Sequence, residues 1–225
     1  GTGSLNMNGG TLEFTLAGAG TPGTPNTYSK GIILGGNNGT ITVTDASSRL
    51  VLRGTATNQI VSEANVISSY GSNNPNSGGL TIIGPGTVQY GDRSAGTATQ
   101  DILGVTNTYT GLTVIGDGVT PVTVDIQGQG NDNEQYTTFG TTDGWADGTI
   151  IRNNATLEIS TKRGDGSRDN QIRFREWFQL GEQATDSVTI LGSTQRQPTF
   201  DGMLNVVAEV TFNATGNLYG DAGST

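Results

Sequence analysis

A short apolar or alternating segment, a glycine-containing turn and a second short segment recur along the chain. Residues 4–14 (SLNMNGGTLEF), 31–43 (GIILGGNNGTITV), 79–90 (GLTIIGPGTVQY), 111–126 (GLTVIGDGVTPVTVDI) and 148–159 (GTIIRNNATLEI) carry the unit. Residues 187–193 (SVTILGS) open a further unit, with 203–212 (MLNVVAEVTF) after it. Successive starts lie 27 to 48 residues apart, so loops of unequal length separate a shared pair of strands. Strands this short build no stable sheet as isolated hairpins. Stacked as rungs, each pairs with its equivalents above and below. Period-two alternation sets Thr113 and Ile115 on one face and Leu112 and Val114 on the other. Glycine and asparagine supply positive-φ corners where the chain passes between sheets.

The pattern predicts an all-β chain, a parallel β-solenoid of about six or seven irregular rungs with loop insertions. At about 4.8 Å per rung that is a rod roughly 30 Å long. Its 225 residues suit a single domain over 1–225 with one continuous core. The competing architecture is an antiparallel β-sandwich, which also shows short strands and frequent turns. GGNNG at 35–39 suits a hairpin and belongs to that rival. Against it, turn lengths vary widely while the strand patterns stay alike. Two segments interrupt the repeat. In 57–79, Ile60, Ala64 and Ile67 have helical spacing within a loop excursion. Residues 163–183 form the most charged and aromatic stretch.

Composition supports many strands and turns. There are 36 glycines, about twice the usual share, but only 6 prolines and no tripeptide period, which excludes collagen. Charged residues are 14%, too few for a charge-driven disordered chain. A net charge of −9 argues against a nucleic-acid partner and against an anionic membrane surface. No apolar run is long enough to span a membrane as a helix. Cysteine is absent, so folding is independent of redox compartment. The chain opens at Gly1 without methionine, which suits a processed form or a segment of a longer surface protein.

Residues 78–90 (GGLTIIGPGTVQY) and 106–119 (TNTYTGLTVIGDGV) resemble the autotransporter-associated β-strand repeat. Gly79, Leu80, Thr81, Gly84, Gly86 and Thr87 match its first motif; Asn107, Thr108, Tyr109, Thr110 and Gly111 match its second. About 50 residues are covered. The resemblance implies a right-handed parallel β-helix of a secreted bacterial passenger or surface protein, used as a stalk, adhesin or scaffold. This chain departs from the pattern by inserting residues 91–105 (GDRSAGTATQDILGV) before NTYTG, and it carries no membrane barrel. The resemblance extends to the repeat and not to the secretion mechanism.

Candidate chemistry is sparse. Without histidine or cysteine, Ser-His-Asp and Cys-His catalysis and the usual zinc sites are excluded. A Ser-Lys nucleophile has only Lys30 or Lys162 to use, and nothing places a serine beside either. Polysaccharide cleavage needs two carboxylates across a cleft. Asp143 and Asp147 flank Trp145, a platform for a sugar ring, and neighbouring rungs can bring Asp125 to Glu158. Arg152 or Arg173 is the nominee for a basic partner. The structural alternative is that the aspartates cap turns by accepting backbone N–H groups. Asp165, Ser167 and Asp169 alternate like half a calcium loop, with Glu176 at position twelve but Asn170 where glycine is required. A solvated acidic turn is the alternative there, and residues 131–135 (NDNEQ) form a second oxygen-rich patch.

Arg163-Gly164-Asp165 is a short integrin-type tripeptide that chance also produces. In 171–180 (QIRFREWFQL), Ile172, Phe174, Glu176 and Phe178 share one strand face, Arg173, Arg175 and Trp177 the other. The first row suits the core; the second suits an Arg–Trp ridge for glycan or a neighbouring subunit. N-x-S/T sequons stand at Asn38, Asn154 and Asn213.

No catalytic, cofactor-binding or metal-binding residue is assigned, and no cofactor is implied. The expected function is a non-enzymatic structural or adhesive building block at a bacterial cell surface. Its expected partners are copies of itself, head to tail or in a fibre, or further repeats, with a surface glycan in addition. A polysaccharide-active or glycan-binding β-helix is the alternative, and a phage fibre segment a third.

Overall fold

The structure, a computed structural model, describes residues 4–15, 26–28, 30–52, 60–62, 78–91, 107, 109–126, 135–136, 139–140, 148–159, 170–174, 176–192, 196–200, 202–214 and 219–220. These residues form strands β1 to β21 in chain order and no helix. Two long sheets carry the fold. Sheet I stacks β2 (Thr11–Phe14), β5 (Gly39–Val43), β8 (Leu80–Ile83), β10 (Thr113–Ile115), β13 (Thr149–Ile151), β16 (Phe178–Leu180) and β19 (Leu204–Val206). Sheet II stacks β3 (Asn26–Tyr28), β6 (Arg49–Leu52), β9 (Thr87–Tyr90), β11 (Val122–Ile126), β14 (Ala155–Ile159), β17 (Ser187–Gly192) and β20 (Glu209–Ala214). Two shorter sheets complete it. Sheet III holds β1 (Leu5–Met7), β4 (Ile32–Leu34) and β7 (Ile60–Ser62). Sheet IV holds β12 (Gln135–Tyr136), β15 (Asn170–Phe174), β18 (Arg196–Phe200) and β21 (Tyr219–Gly220).

Every pairing between described strands is parallel. The chain visits sheet I and then sheet II and returns to sheet I beside its previous visit, passing through a strand of sheet III or IV on the way except between β9 and β10, where none is described. Long parallel sheets built by consecutive passes are consistent with a β-solenoid, and an antiparallel sandwich is excluded.

The register stacks like on like. One inward column of sheet I runs Leu12, Ile41, Ile82, Ile115, Ile151, Leu180 and Val206. An inward column of sheet II runs Leu50, Val88, Val124, Leu157, Ile190 and Phe212. Most of these side chains are buried in one contiguous cluster. A fully buried aliphatic side chain contributes roughly 1.5–3 kcal/mol, so the columns are the main source of stability. Opposite them, Thr87, Thr123, Thr156, Thr189 and Thr211 form a single outward row on sheet II.

The glycines of the repeat have a steric reason. A Cβ on Gly78 would lie 2.1 Å from the Gly35 carbonyl oxygen, and one on Gly111 would lie 2.4 Å from the Gly78 carbonyl carbon. Gly35, Gly78 and Gly111 thus meet backbone to backbone where the chain enters sheet I. Asn38 and Asn154, the only non-glycine residues at positive φ among those described, take the left-handed corners (φ 63° each).

Three expectations need correction. Ile60 lies in β7, so the helical spacing of 57–79 does not make a helix there; the rest of that excursion lies outside the described residues. The turn at 35–38 is not a hairpin, because β4 and β5 belong to different sheets. Residues 171–180 are not one strand: β15 ends at Phe174 and β16 begins at Phe178, with a corner between.

Candidate functional site

Of the carboxylate pairs considered, the fold brings one together in the described residues. On the outward face of sheet II, Val51, Gln89, Asp125 and Glu158 occupy one column, Asp125 and Glu158 being direct register partners. Arg49 reaches up this column from β6. Its Nη1 donates to Asp125 Oδ2 at 2.8 Å and to Gln89 Oε1 at 2.8 Å. Gln89 Nε2 in turn donates to the Gly91 carbonyl at 2.6 Å. The Asp125 side chain is 1% exposed and the Arg49 side chain 29%. Burial raises the Glu158 carboxyl above its ordinary range; the Asp125 charge adds to this and Arg49 opposes it. Asp125, however, is engaged by Arg49 and closed to solvent, so a glycosidic oxygen has no approach to it.

A second polar cluster lies inside the coil. Glu176, at the corner between β15 and β16, turns inward and is buried. Its Oε1 accepts from the Phe139 N–H at 3.0 Å and its Oε2 from the Thr149 hydroxyl at 3.3 Å. Burial pushes its carboxyl up to about 8, against the lowering effect of those two hydrogen bonds. Thr113 donates to the Phe139 carbonyl at 3.0 Å, so the Tyr109 hydroxyl donates to Thr113 Oγ1 at 2.6 Å. The buried Tyr90 hydroxyl has no hydrogen-bond partner among the described residues. Phe139, Phe174, Phe178 and Phe200 pack on one another in stacked and edge-to-face contacts, with Tyr90 edge-on to Phe139.

The remaining candidates are dispersed. Arg152 pairs with Glu182, Nε to Oε2 at 2.9 Å, on the surface. Lys30 is exposed. Glu176, the twelfth position of the calcium pattern, faces the core and is not offered to a solvent-side ion. Asp143, Trp145, Asp147, Lys162, Arg163, Gly164, Asp165, Ser167 and Asp169 lie outside the described residues, as do residues 131–134 and the side chains of Ile172, Arg173 and Arg175. Phe174 and Phe178 both join the core, as expected, but from strands of different sheets rather than from one row.

Where aspartates of turns are described, they cap backbone. Asp117 accepts from the Val119 and Thr120 N–H groups, and Asp186 from those of Glu182 and Gln183. These bonds, the Thr120 and Val119 amides first, hold the Asp117 carboxyl below the usual range. At the sequons, Asn38 Oδ1 accepts from the Gly79 N–H at 2.7 Å and Asn154 Nδ2 donates to the Val119 carbonyl at 3.3 Å; Asn213 lies in β20.

Sequence reasoning missed the inward polar cluster. Motif alignment sets Leu80 beside Leu112, whereas β8 and β10 pair Leu80 with Thr113 and Ile82 with Ile115. That one-residue slip turns Thr113 inward, where it serves Tyr109 and Phe139. The polar spacing Tyr109–Thr113 was the available signal. Taken together, the fold and the two clusters define a parallel, all-β protein with a long aliphatic core and internal polar ties. Comparison of the chain with protein-family models, with curated proteins and with solved structures gave no match.

Proposed function

We propose that this chain is a non-enzymatic extracellular structural or adhesive protein, a right-handed β-solenoid of about six or seven rungs that serves as a building block of a bacterial cell-surface stalk, fibre or scaffold. The observation that carries this reading is the pair of unbroken seven-strand parallel ladders. Such ladders transmit load along one axis through backbone hydrogen bonds, and neither needs a cofactor or a mobile element. Among the described strands, β19 and β20 are paired on one side only. Val206 and Phe212, the last members of the two core columns, are 50% and 39% exposed. An open edge above apolar side chains favours continuation by another rung, from a second copy or from further repeats. The repeat resemblance at 78–119 points to the same class.

Electron microscopy of the purified chain, with sedimentation over a concentration series, tests the reading. Elongating particles of constant width are expected. Compact globular particles at every concentration contradict it.

A polysaccharide-active or glycan-binding β-helix is the second reading; what supports it is Glu158, half-buried on the outward face of sheet II, with Asp125 beside it held by Arg49. Incubation with acidic and neutral polysaccharides, read by reducing-end release and by retention on glycan columns, separates the two. Glycan turnover that Glu158→Gln abolishes would establish the second.

A further inference from the structure

Sheets III and IV take the same step of the coil. Each of β1, β4, β7, β12, β15 and β18 is followed in the chain by a strand of sheet I and then by one of sheet II. β21 lies one pass further on: it pairs with β18, parallel, setting Tyr219 on Thr199 and Gly220 on Phe200. Beside it, β19 and β20 have no described strand beyond them. The far end is therefore uneven, with sheet IV one strand ahead of sheets I and II. The near end is a full pass, β1, β2 and β3, each paired on one side only. All ladders are parallel, so a second copy laid end on end continues the strand direction. With its β2 on β19, the inward column of sheet I runs on from Val206 to Leu12. On sheet II, Phe212 meets Asn26, the member of that column below Leu50, so the apolar gain lies mainly in sheet I and at β18.

In that arrangement β1 of the second copy arrives over β18, the place that β21 holds, and two strands cannot share one edge. We propose that the far end is a docking surface for the first pass of a second copy, and that β21 is a cap over it which the incoming β1 displaces from β18. The proposal rests on the stalk-or-fibre reading and adds its regulation. β21 is the strand that yields. It is held at two residues, and Gly220 sets no side chain over Phe200. β1 keeps its three pairs with β4 while its other edge takes β18, and it brings Met7, a buried member of the core. An end with β21 seated offers two sheet edges to a newcomer; an end with β21 released offers the third as well, over the Phe174–Phe200 stack.

Two variants of the full chain test it by sedimentation over a concentration series and by electron microscopy. Thr199→Cys with Tyr219→Cys joins register partners at strand spacing, within disulfide reach, in a chain that has no cysteine of its own. Oxidised, this variant is expected to stay in its shortest form; reduced, it is expected to grow like the wild type. Tyr219→Pro removes a ladder N–H from β21, and its growth is expected to begin at a concentration about tenfold lower, the equivalent of freeing one or two ladder bonds. If the bridge does not close, Tyr219→Pro decides alone, and a threshold at or above that of the wild type overturns the proposal. Oxidised chains that elongate as reduced ones do overturn the cap and leave the fibre reading standing. Assembly that stops at dimers means that like ends meet, and overturns the docking. No growth in the wild type, the reduced variant or Tyr219→Pro overturns the fibre reading and this proposal with it.

Discussion

At the corner where the chain enters sheet I, an added methyl on Gly111 would sit 2.4 Å from backbone atoms of Gly78 and Gly79. Backbone cannot swing aside as a side chain can, so the rungs themselves must part. Gly111→Ala is expected to cost about 3 kcal/mol, read as a lowered urea midpoint at unchanged slope. Asp125 shows a different residue-scale constraint. Its buried carboxylate is stabilised by Arg49, and removing the guanidinium takes away that opposite charge. Arg49→Ala is expected to cost about 2–4 kcal/mol, while Arg49→Met combined with Asp125→Leu recovers most of the loss. A double variant as unstable as Arg49→Ala alone would mean that the pair contributes more than the desolvation it offsets.

At the scale of elements, a strand here is defined by its columns rather than by its own few hydrogen bonds. β13 has three residues, yet Ile151 packs between Ile115 on one side and Leu180 on the other. Ile151→Ala leaves a cavity that neither neighbour can fill without breaking its own register. A loss of about 2–5 kcal/mol is expected, again read in urea. The outward threonine row makes the opposite prediction. Thr123 and Thr156 face outward and are only partly buried. Thr156→Val keeps the β-branched shape, and its stability should change by less than about 0.5 kcal/mol. The strand alternation and the glycine corners were legible in the residues. The Leu80–Thr113 register was not, because period-two alternation fits equally well after a one-residue slip once its faces are exchanged, and only the neighbouring rungs decide which face is buried.

For the whole molecule, contacts are between passes that are neighbours in space and dozens of residues apart in sequence. Stability should therefore be graded along the coil. Amide hydrogen exchange is expected to be slowest in β8, β10 and β13 of sheet I and β9, β11 and β14 of sheet II, flanked on both sides, and faster in β19 and β20, which are flanked on one. If elongation proceeds through the apolar end, Val206→Lys with Phe212→Lys should hold the chain in its shortest form in sedimentation at concentrations where the wild type grows. Growth undiminished in this variant would place self-association elsewhere on the surface.

Asp125 and Glu176 mark the boundary between what the sequence by itself determined and what the tertiary structure decided. Repeated short alternating segments with glycine and asparagine corners determined an all-β chain and favoured stacked parallel rungs over a sandwich, because equivalent short apolar faces are buried when they stack; the parallel pairing itself was decided by the fold. The lack of histidine and cysteine likewise determined which chemistries were closed to it. That Asp125 would meet Glu158 was readable as one pairing among several, since equivalent strands stack. That Arg49, 76 residues earlier, would neutralise Asp125, and that Glu176 would turn into the core, required the fold. Ionisation depends on which groups lie within a few ångströms and on how far water is excluded, and both are set by register between distant segments rather than by local order along the chain.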